Sequence, residues 1–432
     1  MLALLRKDGP FEKRNCRLFV MFGTLYHARA YYPVLAILFT DLGLSLEQYV
    51  MLNGVWAAAV FLFEVPSGAL ADTLGRRQLL IFAAVLMVIE MGVLLVAPKD
   101  GGWWLFSLCL LNRFLSGLSE AAASGADEAI AYESLAEEER ESAWDEVLVV
   151  AMRWRSVGFL VAMTMGGLLY DPSWWNRLVP DALEISEAVA HRLPVAVVFV
   201  QALLCLGFAL GFREVCPATG VFAERCRKAS RLTLETLRMA LTTRAIAMVL
   251  LGGLLIDALT RNFATLNSAY YRLIGLPEWA FGLIGSSIAI CNWFVPAIAA
   301  RVNRRCGTHG ALAWGGLVVA IALAMLLPAW RSLGISAAML LMMMLGYVSF
   351  TVSRFLHRVA DSSQRATLIS VKGLVFNLSY GLYSLVFSLL LAGVKAGDGG
   401  GFQAALGWQA GGFVVVLAAY ALMLRLCLPA RE

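Results

Sequence analysis

The chain has 432 residues, 60% of them hydrophobic and 15% charged, with a formal net charge of +5, and its mean hydropathy is +0.74. That balance excludes a soluble multi-domain protein: apolar runs of about 20 residues recur with short polar gaps, and at ~1.5 Å per residue each matches a ~30 Å hydrocarbon core.

Twelve such runs start near residues 18, 47, 78, 103, 146, 193, 245, 279, 310, 333, 366 and 407. They lack the period-two alternation of barrel strands, so they read as helices. The opening "MLALLRKDGPFEKRNCR" has too short an apolar part, with charges after it, to be a secretory signal, and reads as a basic cytoplasmic tail. With both termini inside, cytoplasmic segments collect most of the Lys and Arg, which orients the chain. The acidic loop Tyr132–Glu146 does not conflict, because the rule counts Lys and Arg rather than net charge. The expected location is a cell membrane, multi-pass, with both termini cytoplasmic.

An ionisable residue at bilayer depth is costly, so it faces the interior and carries a structural or functional role. Taken in chain order, Arg29 lies about 12 residues, roughly 18 Å, into the first run. Glu64 follows in the second and Glu90 in the third. The fourth run carries Arg113, Gly117, Glu120, Ser124 and Asp127/Glu128 at helical spacing, a polar stripe on one face. Arg153 and Arg155 in the fifth point to different faces. Arg213–Arg244 is the longest internal polar segment and splits the runs six and six. Its apolar residues among basic ones suggest an amphipathic helix on the inner surface, with a solvated linker as the alternative. Asp257 and Arg261, four apart in the seventh run, are spaced for an intrahelical ion pair. Asn292 and Asn377 are further pocket candidates, and Lys372 completes the in-span cations.

The two halves share an order of features. Arg29 precedes Gly43 by fourteen residues, as Arg261 precedes Gly275. A Val-Pro pair follows in each, Val65–Pro66 and Val295–Pro296, and then a double arginine, Arg76–Arg77 and Arg304–Arg305. This points to a 6+6 repeat: an all-α integral membrane fold of 12 transmembrane helices in two pseudo-symmetric six-helix bundles, 1–212 and 244–432, joined by a linker at 213–243. The eight Cys form no CxxC pairs, the four His are scattered, and no Walker, HExxH or GxSxG motif occurs, so no metal or cofactor is expected.

Gly68-Ala-Leu-Ala-Asp72-Thr-Leu-Gly75-Arg76-Arg77 resembles the loop signature of the major facilitator superfamily, and Arg113-x-x-x-Gly117 resembles its second signature. "EVPSG", "SGADEAIAYESL" and "QRATLIS" are similar to a bacterial subgroup for which the resemblance implies no particular substrate. It implies an alternating-access carrier with Arg113 in the cavity. It also implies a cytoplasmic latch in which Asp72 caps the eleventh helix near Thr367, and Arg76 or Arg77 pairs with Asp127 or Glu128. Two departures stand out: Arg301 occupies the region of the second-half loop where the acid is expected, and the fifth run lacks the Gly-Pro pair of antiporters. The expected function is secondary transport of a small organic solute, coupled to protons through Glu64, Glu90, Glu120 or Asp257. The paired arginines lean toward an anionic group on the substrate. The alternative is a lipid or lysolipid carrier, or a non-transporting membrane receptor. An enzyme is disfavoured. The expected partners are the solute, protons and membrane lipid, with no nucleic acid, around a monomer.

Overall fold

The computed structural model describes residues 9–177, 184–215, 221–359, 365–396 and 401–427. The start of the basic tail, residues 216–220 of the linker with Cys216, and Gln364 lie outside these residues. Among the described residues every regular element is helical. Short turns aside, the first half contains α1 (Arg14–His27), α2 (Leu35–Asp41), α3 (Leu46–Leu74), α4 (Arg76–Val96), α5 (Gly102–Ala123), α6 (Ala126–Glu133), α7 (Arg140–Tyr170) and α8 (Leu193–Gly211). A linker helix α9 (Phe222–Thr242) follows. The second half contains α10 (Arg244–Leu273), α11 (Glu278–Asn292), α12 (Val295–Leu326), α13 (Arg331–Val359), α14 (Arg365–Ala396) and α15 (Gly401–Cys427).

Among the described residues nine helices are long and apolar enough to cross a membrane: α3, α4, α7, α8 with its preceding turn, α10, and α12 to α15. The element order is consistent with twelve crossings. The three that fall short are interrupted or charged. The first is split into α1 and α2, the fourth (α5) carries Arg113 and Glu120, and the eighth is divided between α11 and the start of α12. Exposed large apolar side chains such as Leu62, Val96, Leu389 and Leu426 cover the outward faces, where lipid replaces water as the neighbour.

The break in the first crossing has a local cause. Pro33 has no N–H to give the carbonyl four residues back, which is that of Arg29, and its ring would clash there. The chain unwinds after His27, and the Arg29 carbonyl accepts from the Tyr32 N–H instead (3.1 Å). By the repeat alignment Thr265 stands where Pro33 does, and α10 runs on unbroken through Arg261. At the other end of α3, a single residue joins two crossings. Gly75 has φ 100°, ψ 146°, a region open essentially to glycine. Gly75→Ala is expected to cost about 1–3 kcal/mol, read as a lower unfolding temperature; an unchanged midpoint would show that the turn relaxes freely. α3 itself stays helical across Pro66, so that proline does not interrupt it.

Two compact units divide the chain, and they do not follow the halves of the sequence. The first comprises Met1–Leu44, Ala58–Ala229 and Pro277–Ala289; the second comprises Ser45–Ala57, Ser230–Leu276 and Ile290–Glu432. The start of α3 thus belongs to the second unit and most of α11 to the first. In the first unit α1 packs on α6, α7 and α8, and α4 lies between α5 and α8. α7 approaches α11 closely where Gly167 meets the backbone of Gly282 and where Gly282 meets the Met163 carbonyl. Thr164 and Ser286 hydroxyls share a hydrogen bond at the same contact (2.8 Å). In the second unit α10 is the most buried crossing and packs on α12, α13, α14 and α15. The start of α3 is held there by Tyr49, which donates to the Thr265 carbonyl (2.8 Å), and by the Lys395–Glu47 pair (3.0 Å).

Candidate functional site

Each unit holds its own cluster of in-span charges. In the first, the helix break delivers Arg29 to Glu90 of α4. The guanidinium Nη1 sits 2.6 Å from Glu90 Oε1, with side chains 4% and 0% exposed. The same nitrogen donates to the Tyr31 hydroxyl (2.9 Å) and the Ser116 hydroxyl (3.4 Å), and Nε donates to the Tyr26 carbonyl (3.4 Å). α5 braces the acid: Asn112 donates to the Glu90 carbonyl (2.7 Å), and Tyr26 shares a hydrogen bond with Ser119 (2.6 Å). Arg113 is buried next to these groups, with its guanidinium 5.5 Å from the Phe39 ring centroid and within electrostatic reach of Glu90.

A second acidic pair lies beside this cluster. Phe63 and Phe114 meet edge-on at 6.0 Å, and Ser67 donates to the Ala121 carbonyl (2.7 Å), which sets α3 along α5. Glu64 and Glu120 are both half-buried on that seam and act on each other electrostatically. Among the described residues Glu64 Oε2 is a buried oxygen with no hydrogen-bond partner.

In the second unit Asp257 and Arg261 form the i,i+4 pair that their spacing predicts: Arg261 Nη2 lies 3.0 Å from Asp257 Oδ1 and 2.9 Å from Oδ2. Arg261 Nη1 donates to Asn377 Oδ1 (2.9 Å), and the guanidinium lies 5.6 Å from the Tyr380 ring centroid. Asp257, Arg261 and Asn377 line a cavity of about 330 Å³ with Leu345, Ser349, Lys372, Gly373 and Phe376. Lys372 Nζ donates to the hydroxyls of Ser353 (2.8 Å) and Ser349 (3.2 Å) of α13 and lies over the Phe376 ring. Asn292, at the end of α11, is not part of that lining, and its Oδ1 is buried without a hydrogen-bond partner among the described residues. Farther along α10, Asn262 Nδ2 and Asn267 Oδ1 are likewise buried without one.

The charges at the Gly75 turn pair differently from the latch implied by resemblance. Asp72 engages Arg225 of α9 at 3.0 Å. Arg76 pairs with Glu133 rather than Asp127 or Glu128, and Arg77 donates its backbone N–H to Glu214 (2.9 Å) and its guanidinium to the Leu210 carbonyl (3.2 Å). Asp127 takes Arg155 of α7 (3.3 Å), and Glu128 is exposed. The reason is local: Gly125 is left-handed (φ 74°) and starts a new short helix, α6. Its first turn presents Asp127 to α7, while Glu133, two turns on, reaches Arg76. A Cβ on Gly68 would meet open space, so nothing in its surroundings among the described residues demands a glycine.

A family model described as Major Facilitator Superfamily matches residues 18–347. The chain belongs to that superfamily. This superfamily member is a multi-pass membrane transporter and not an enzyme. Its fold is shared by solved transporters of low sequence identity. The nucleoside transporter NupG is 13% identical over 95% of this chain and 98% of its own, with a TM-score of 0.72. A D-xylose–proton symporter is 16% identical, with coverages of 95% and 97% and a TM-score of 0.64. A POT family transporter solved with 5-aminolevulinic acid is 12% identical, with coverages of 94% and 95% and a TM-score of 0.66. No curated protein matches the sequence.

In this superfamily member the candidates from sequence thus fall into two groups: Arg29, Glu90, Arg113, Glu64 and Glu120 in one unit, and Asp257, Arg261 and Asn377 in the other. Sequence reasoning listed Lys372 as an in-span cation without placing it at a site, and it missed Ser349 and Ser353. The signal for the lysine was present, since Lys372, Gly373, Phe376 and Asn377 share one broad helix face. The two serines carry no signal of their own, because hydroxyls in membrane helices commonly bond back to their own carbonyls.

Proposed function

We propose that this protein is a secondary transporter that moves a small organic solute by alternating access, coupled to protons, in a bacterial inner membrane with both termini cytoplasmic. The proton coupling rests on Glu64, whose buried Oε2 has no hydrogen-bond partner among the described residues and which sits beside a second acid, Glu120. Two carboxyls within electrostatic reach of each other at bilayer depth are costly when both are ionised, so one proton shared by the pair is favoured and is exchanged during alternating access. Glu90 and Asp257 are each paired with an arginine and fit a positioning role within their own units. That a solved proton symporter shares the fold is in keeping with this reading.

In proteoliposomes Glu64→Gln and Glu120→Gln are expected to abolish uptake driven by a proton gradient while leaving counterflow exchange of the solute intact, because an amide keeps the shape but carries no proton. Proton-driven uptake of unchanged size in both variants would exclude these residues as carriers. A thermal-shift screen of solutes on the purified protein supplies the substrate for that assay.

A further inference from the structure

The cavity of the second unit is unevenly charged. It is lined by two cations, Arg261 and Lys372, and one acid, Asp257. Asp257 is committed to Arg261 through both oxygens, and Asn377 occupies the other arm of the guanidinium. Lys372 is left with neutral oxygens: the hydroxyls of Ser353 and Ser349 and the Ser349 carbonyl (3.4 Å). Among the described residues no carboxylate lies within ion-pair distance of its ammonium. A positive charge at bilayer depth is normally neutralised by a partner. Here the ammonium is held by hydroxyls one turn apart on α13, and Asp257, the acid in the same lining that reaches it electrostatically, is shared with Arg261, so two cations face one carboxylate.

We propose that the missing counter-charge comes from the cargo: Lys372 anchors an anionic group of the substrate, and the cavity takes small organic monoanions. The inference rests on the transport reading and names the class of solute. A lysine is a compact point charge that takes one oxygen of a carboxylate or phosphate without the planar fork an arginine imposes. Phe376 and Leu345 supply apolar walls for the rest of the molecule. A volume of about 330 Å³ lies at the lower end of the ~300–1,000 Å³ range of ligand pockets, which suits a small solute. The Asp257–Arg261 pair, already neutral, offers no second free cation, so the cavity suits one anionic group rather than two.

The test is binding, independent of transport, with benzoate as the anionic probe and benzamide as its neutral isostere. Purified protein in phosphatidylcholine nanodiscs is expected to gain a few degrees of thermal midpoint with benzoate and none with benzamide, and Lys372→Gln to lose that gain. Without ligand, Lys372→Gln is expected to be more stable than wild type, since it removes the excess positive charge of the cavity while its amide can still meet the serines. On wild-type protein, benzoate is also expected to slow acylation of Lys372 relative to the exposed Lys395, a readout that does not depend on any variant folding. Equal response to benzoate and benzamide, an unchanged benzoate shift in Lys372→Gln, or a glutamine variant less stable than wild type would each overturn the proposal. A Lys372-dependent shift produced by phosphatidylglycerol nanodiscs but not by benzoate would keep the anion site and assign its source to lipid. A protein that binds benzoate through Lys372 but moves no solute fails the transport reading alone, and one that transports without binding it fails this inference alone.

Discussion

Arg29→Met is expected to cost about 3–5 kcal/mol of stability, because it strands the Glu90 carboxylate in a site where that side chain is fully buried. The double variant Arg29→Met/Glu90→Leu is expected to recover most of that loss. Replacing a buried ion pair by apolar groups of similar volume is often neutral or stabilising, whereas removing one partner leaves an uncompensated charge. Three buried cysteines, Cys16, Cys109 and Cys205, all lie in the unit that holds this pair. A thiol-reactive fluorophore therefore reports its unfolding directly. Single and double variants with the same midpoint would show that Glu90 finds another partner and that the pair is not what holds the broken first crossing to α4. If the double variant is stable yet inactive in uptake, the pair acts in transport rather than in folding.

Gly166→Val is expected to leave little folded protein. A Cβ at Gly166 would fall on the Ala30 carbonyl oxygen and 2.9 Å from the Pro33 ring. Ordinary overpacking of a core costs about 1–3 kcal/mol because side chains can shift. Here the obstacle is backbone, and that backbone is the unwound segment whose next residue up the chain is fixed to Glu90. Substitution at Gly166 therefore forces α7 away from the break and disturbs Arg29 indirectly. Gly393→Ala and Gly412→Ala provide the contrast, since neither added methyl meets an atom within 4 Å. In a helix interior alanine gains about 0.5–1 kcal/mol over glycine. Size-exclusion profiles of fluorescent fusions are expected to show sharp peaks for these two and an aggregated or absent peak for Gly166→Val. A sharp peak for Gly166→Val would mean that α7 and the break are less tightly packed than their contact implies.

The sequence alone determined the features that the membrane writes along one dimension. Apolar runs of crossing length, the loop signature at Gly68–Arg77 and the depth of each in-span charge all follow from spacing and residue type. So does the Asp257–Arg261 pair, because four residues on a helix make neighbours. Pro33 was equally visible, and its effect on Arg29 follows from the proline rule, although the first run read as continuous. Tertiary structure decided the partnerships. Arg29 meets Glu90, sixty-one positions away, because the break turns it toward α4. Arg76 takes Glu133 and Asp127 takes Arg155 because the left-handed Gly125 reorients α6. Lys372 is held by Ser349 and Ser353 because α13 is the helix that brings those hydroxyls to it. The physical reason is the same throughout: helical periodicity tells which side of its own helix a residue occupies, and bilayer cost tells that a charge must be satisfied, but neither says which helix is packed against that side.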